Sequence, residues 1–185
     1  MIKRYAVFDV MAEVLENAAT AYSVNETARK AKVSPSAAKY VLDDLFKKGM
    51  LTLQKIGKTY QYKANLDDFL ARQWKVNLTT EELKKAKIVE NILETKKTIF
   101  SVTLYGSCAV GRDDENSDID IIVIADTDAK GKKEIASQAH GTQREINISA
   151  YTPFEWLKKA QTDKIFYEKV IIDSIALYGQ KPVTL

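Results

Sequence analysis

The residues best equipped for chemistry fall between Ser101 and Asp126, SVTLYGSCAVGRDDENSDIDIIVIAD. Asp118 and Asp120 are separated by one residue, so on a strand both carboxylates point to one face, about 7 Å apart along the chain. Carboxylates so placed repel each other unless a cation sits between them. Oxygen ligands of that kind suit Mg²⁺ held together with a phosphate group. Upstream, Gly106 lets the backbone approach a ligand closely, and Ser107 stands where a helix would begin. Free N–H groups at a helix start bind phosphate. Arg112, in the spacer, can pair with a phosphate or a carboxylate. Ser117 directly precedes the aspartate pair. A lone Asp-x-Asp ahead of a buried strand is ordinarily an acidic turn. Here the pair follows Gly-Ser after a spacer, between two apolar β-branched runs, and a phosphate-handling site is the stronger reading.

These residues resemble the signature of the DNA polymerase beta-like nucleotidyltransferase superfamily, in particular its minimal nucleotidyltransferases. Gly106-Ser107, the spacer and Asp118-Ile119-Asp120 match that pattern without a gap, and the resemblance runs from roughly Leu83 to the C-terminus. It implies a small mixed sheet with helices. It also implies ATP or another nucleoside triphosphate bound through its phosphates by Gly106, Ser107, Arg112 and Ser117, with Mg²⁺ on Asp118 and Asp120. The implied activity is transfer of a nucleoside monophosphate to an acceptor.

The resemblance further demands a third acidic residue on a later strand, to help hold metal and to activate the attacking hydroxyl. The strand read over Arg144 to Tyr151 carries Asn147 at that place. An amide can coordinate a cation weakly but cannot accept a proton as a general base. Glu145 lies two residues earlier on the same face and is the substitute to weigh. The expected catalytic set is therefore Asp118, Asp120, Asn147 and Glu145. Small relatives of this kind act as antitoxins that modify a partner toxin, so a protein acceptor is one expectation. The alternative is a non-enzymatic regulator whose degenerate transferase domain senses nucleotide.

Ahead of this stretch the chain reads as helices and a hairpin. Phe8 to Ala19 carries Val10, Met11, Val14 and Leu15 at helical spacing. Ser23 with Glu26 makes a capping box for a second helix ending near Lys32. Ser34-Pro35 opens a third, to Lys48, stopped by Gly49. Met50–Ile56 and Thr59–Ala64 alternate like strands around Gly57-Lys58. This order resembles the winged helix-turn-helix domains of prokaryotic regulators. The resemblance implies that Ser34, Ser36, Lys39 and Tyr40 meet base edges of double-stranded DNA, with Lys55 and Lys58 near phosphates on the wing. Asp43 and Asp44 would face away from DNA or weaken binding. Asn65 to Asn77 reads as a linker helix with Trp74 as a packing anchor between domains or subunits, and Thr79 or Thr80 begins another helix reaching about Lys97. Lys132 to Ala139 reads as a short helix, and Asp163 to Ile172 as the last one.

The expected fold is α+β: a winged helix over 1–65, a helical linker over 66–78, and a small mixed-sheet nucleotidyltransferase domain over 79–185. The chain has 185 residues, 45% hydrophobic and 29% charged, which describes a globular protein with two modest cores. A net charge of +3 is too small to argue for nucleic acid by itself. No apolar run is long enough to span a membrane. The single cysteine, Cys108, allows no internal disulfide and fits a reducing, cytoplasmic setting. His140 is the only histidine and cannot make a zinc site unaided. A homodimer is the expected assembly.

Overall fold

A computed structural model describes residues 5–183. They divide into two compact units. One comprises the chain up to Leu78 together with Gly111–Glu115, the other Thr79–Val110 with the chain from Asn116 onward.

The first unit begins with α1 (Ala6–Glu16), α2 (Val24–Lys30) and α3 (Pro35–Lys47), followed by the antiparallel hairpin β1 (Leu51–Ile56) and β2 (Thr59–Ala64). The capping box at α2 is formed: Ser23 Oγ accepts the Glu26 N–H, and the Glu26 carboxylate accepts the Ser23 N–H at 2.8 Å. At α3, Ser34 Oγ accepts the Ala37 N–H while Pro35 occupies the first turn, where no N–H is needed. Val10, Val14 and Leu15 of α1 pack against Ala38, Val41 and Leu42 of α3 and against Met50 and Tyr62. Tyr22 and Tyr62 exchange both backbone hydrogen bonds, adding a bridge to the hairpin. Asp43 accepts from the Tyr62 hydroxyl at 2.5 Å and from Lys39 Nζ at 2.9 Å, tying α3 to β2.

The helix expected to begin at Thr79 does not begin there. A single helix, α4 (Phe69–Lys85), runs through that position, because no glycine or proline interrupts residues 69–85. Trp74 of α4 packs in the first unit's core, its ring 5.9 Å from that of Phe8. Segment Gly111–Glu115 is also anchored in this unit. Lys75 Nζ lies 3.4 Å from the Asp113 carboxylate, each side chain only 2% exposed, and donates to the Leu15 carbonyl at 2.8 Å. Glu115 accepts from the Ala19 N–H and the Thr20 hydroxyl.

The second unit contains α5 (Ile88–Glu94), β3 (Thr98–Tyr105), α6 (Ser107–Val110), β4 (Ile119–Asp126), α7 (Ala129–Ala136), β5 (Ile146–Tyr151), α8 (Pro153–Thr162), α9 (Lys164–Asp173) and β6 (Ile175–Gly179). The sheet order is β5-β4-β3-β6. β4 is antiparallel to β3 and parallel to β5, so the sheet is mixed and the architecture α+β. Ile119, Ile121 and Val123 of β4 join Ile88, Ile92 and Ile135 on one face, and Ile122 and Ile124 join Trp156 and Val170 on the other. Burial on both faces is why β4 is a near-continuous apolar run. β5 starts two residues later than its alternation suggested, because Arg144 turns to Thr79 and Glu82, each within 3.0 Å. α7 starts earlier than expected, its first turn capped by Asp128, which accepts the Gly131 N–H.

Candidate active site

The sheet ladder brings two of the singled-out residues, Asp120 and Asn147, into one row with Tyr105. Asp120 on β4 is paired with Tyr105 at the end of β3 and with Asn147 near the start of β5. Residues directly opposite one another on neighbouring strands share a face. Asn147 Nδ2 donates to Asp118 Oδ2 at 3.1 Å, so the amide touches the carboxylate just ahead of the strand. Asp118 is exposed and Asp120 half-buried. Burial first, and then the neighbouring Asp118 carboxylate, raise the Asp120 carboxyl above its ordinary range, while the bond from Asn147 opposes them.

Gly106 follows Tyr105 with φ +77°, a region that L side chains rarely adopt. A Cβ built there would lie 2.7 Å from Asp120 Oδ2, so the carboxylate rests directly on this glycine. Ser107 opens α6, which is one turn long. Cys108, buried in that turn, donates from Sγ to the Asp118 carbonyl at 3.3 Å and so holds the aspartate's backbone.

Tyr105 was not among the residues singled out. Its phenol is pushed up to about 12, by burial first and then by Asp120 and Tyr151, and so it stays protonated beside the carboxylates. The available signal was its position immediately before Gly106, on the strand that pairs with the aspartates. Glu145 is exposed and lies ahead of β5, and its carbonyl accepts the Ile119 N–H. Arg112 belongs to the segment grouped with the first unit, where its nearest acidic partner is Asp67 at 3.8 Å. Ser117 is half-buried beside Asp118.

Two carboxylates and an amide form an oxygen-rich donor set of the kind Mg²⁺ takes. Among the described residues no group of three His, Cys, Asp or Glu side chains converges.

In the first unit, Ser34 caps α3 and its Oγ lies 3.1 Å from that of Ser36. Tyr40 is 75% exposed on the same helix. Lys39 is paired with Asp43, and Asp44 with Lys48. Lys55 sits over the Tyr60 ring, and Lys58 lies at the tip of the hairpin. The acidic pair on α3 is thus engaged with neighbouring side chains. Asp43 in particular is held below its ordinary range, chiefly by the Tyr62 hydroxyl and then by Lys39.

Residues 86–182, more than half of the chain, match the family described as Polymerase beta, Nucleotidyltransferase. The chain belongs to that family. Among solved structures it is similar to TrmBL2, described as an archaeal chromatin protein with a novel mode of DNA binding. Identity is 19%, covering 89% of this chain and 71% of that one, at a TM-score of 0.30. No curated protein matches the chain. Among the described residues no helix is long and apolar enough to cross a membrane.

Proposed function

We propose that the protein is a Mg²⁺-dependent nucleotidyltransferase whose N-terminal unit is a winged helix-turn-helix that binds double-stranded DNA. The observation that carries the transferase reading is the row Gly106, Asp120, Asp118 and Asn147. A glycine cradle, two carboxylates and a polar amide meet there at one end of the sheet. Asp118 and Asp120 hold the cation, and the turn Gly106-Ser107, with Ser117, receives the triphosphate. The cation supplies charge neutralisation at the phosphates. In the reaction an acceptor hydroxyl attacks the α-phosphorus of ATP or a related triphosphate. Pyrophosphate leaves, and the hydroxyl proton passes to Glu145 or to water, since Asn147 has no basic atom. An acceptor hydroxyl on a partner protein, as for an antitoxin that modifies its toxin, fits a site open at Asp118.

The DNA-binding reading is supported by three helices and a hairpin in the order that this domain requires. It is also supported by the exposed Tyr40 and by Lys58 at the hairpin tip. A second reading, a regulator that binds nucleotide without turning it over, is favoured by one observation. The place of the third carboxylate holds an amide that donates to Asp118.

Calorimetry with ATP and Mg²⁺, followed by incubation with α-labelled ATP and the product of the adjacent gene, separates these readings. Metal-dependent binding that disappears in Asp118→Ala/Asp120→Ala, with label appearing on the acceptor, is expected. Binding that survives the double substitution overturns the site. Binding without label transfer to any acceptor favours the sensor.

A further inference from the structure

We infer that Asn147 restricts this site to a single divalent cation per bound triphosphate. The inference rests on the transferase reading above and specifies the metal content of that same site. Two-metal sites hold their ions about 3.5–4 Å apart, in a clamp that needs shared carboxylates and further anionic ligands. Here the protein offers two negative charges, from Asp118 and Asp120, which balance one divalent cation. The third position of the row is filled by Asn147, fixed there by the β4–β5 register that pairs it with Asp120. Its amide brings an oxygen with lone pairs but no charge.

Neighbouring groups do not make up the deficit. Glu145 is exposed and precedes the first residue of β5. Arg144, next to it, is a cation, and its guanidinium is engaged with Thr79 and Glu82. Among the described residues no third His, Cys, Asp or Glu side chain joins the aspartate pair.

The amide also does something an acid at this place cannot do. Its N–H donates to Asp118 Oδ2 at 3.1 Å, supplying positive charge density to the pair in the cation-free protein. An aspartate there would set a third carboxylate against two, a repulsion that only bound cations relieve. Asn147 thus lowers the number of ions the site can hold and at the same time makes the empty site tolerable.

The test is equilibrium dialysis of the full chain against Mn²⁺ and α,β-methylene-ATP, whose α–β bridge cannot be cleaved. Protein, nucleotide and metal are each counted in the retained fraction. One Mn²⁺ per retained nucleotide is expected for the wild type and two for Asn147→Asp. Thermal melting without metal or nucleotide should place Asn147→Asp below the wild type, with Mn²⁺ closing the gap. Two ions per nucleotide in the wild type overturn the inference while leaving the transferase reading intact. A single ion in Asn147→Asp overturns the assignment of the limit to Asn147. Nucleotide retained by neither protein overturns the transferase reading and the inference with it. Should Asn147→Asp fail to fold even with Mn²⁺, the wild-type count alone decides.

Discussion

Replacing Gly106 by alanine probes the closest approach in the site. The substitution has two effects of different size and place. The backbone effect comes from φ +77°, where an L side chain costs about 1–2 kcal/mol. The contact effect comes from the new methyl, which would sit 2.7 Å from Asp120 Oδ2. A carboxylate at the end of a side chain can turn aside cheaply, so this second effect adds little to the loss of stability. It does displace Asp120 by about half an ångström, and misplacement on that scale is enough to spoil a catalytic or binding constellation.

The expected outcome is a loss of about 1–2 kcal/mol in folding and at least a tenfold loss of Mg²⁺-dependent ATP affinity, about 1.4 kcal/mol. Gly49→Ala is the control. Gly49 has nearly the same conformation, φ +80°, with no atom within 4 Å of its added Cβ. It should show the folding loss without the binding loss. Chemical denaturation and titration calorimetry on both variants measure the two quantities. Should Gly106→Ala bind nucleotide as tightly as the wild type, Asp120 is not held in its working position by Gly106, and the reasoning fails.

Other consequences can be measured on the same protein. Lys75→Met leaves the Asp113 carboxylate buried without its cation and should cost about 3–5 kcal/mol in denaturant unfolding, most of it recovered in Lys75→Met/Asp113→Leu. Lys58→Ala should weaken DNA binding evenly across sequences and lower the salt slope by about 1 in an anisotropy titration. An unchanged slope argues against a phosphate contact at the hairpin tip. Tyr62 is pushed up to about 12, by burial first and then by Asp43, so the folded protein holds this proton more tightly than the unfolded chain. Its contribution is complete below about pH 10 and disappears as pH rises through about 12. Tyr62→Phe should therefore flatten the decline in unfolding free energy across that range.

What was legible in the sequence follows the range over which each signal acts. Local chemistry read well. Ser23 with Glu26 and Ser34 with Pro35 form helix starts through contacts within four residues, and the run Ile121 to Ile124 is apolar because both faces of β4 are covered. Asn147 was placed by the family resemblance, whereas its pairing with Asp120 is set by the parallel register of β4 and β5, a long-range contact that strand alternation alone does not give. Boundaries set by absent stop signals read less well. Thr79 has a capping side chain, but a cap acts only where a helix begins, and nothing between Phe69 and Lys85 ends one. The spacer of the Gly-Ser to Asp-x-Asp motif was the least legible. Its residues Gly111 to Glu115 look like solvated polar loop, yet Asp113 is buried against Lys75, thirty-eight positions earlier, and Glu115 receives Ala19 and Thr20. Charge in a sequence reports solvation only by default, and a buried ion pair defeats that default because each partner makes the other's burial tolerable.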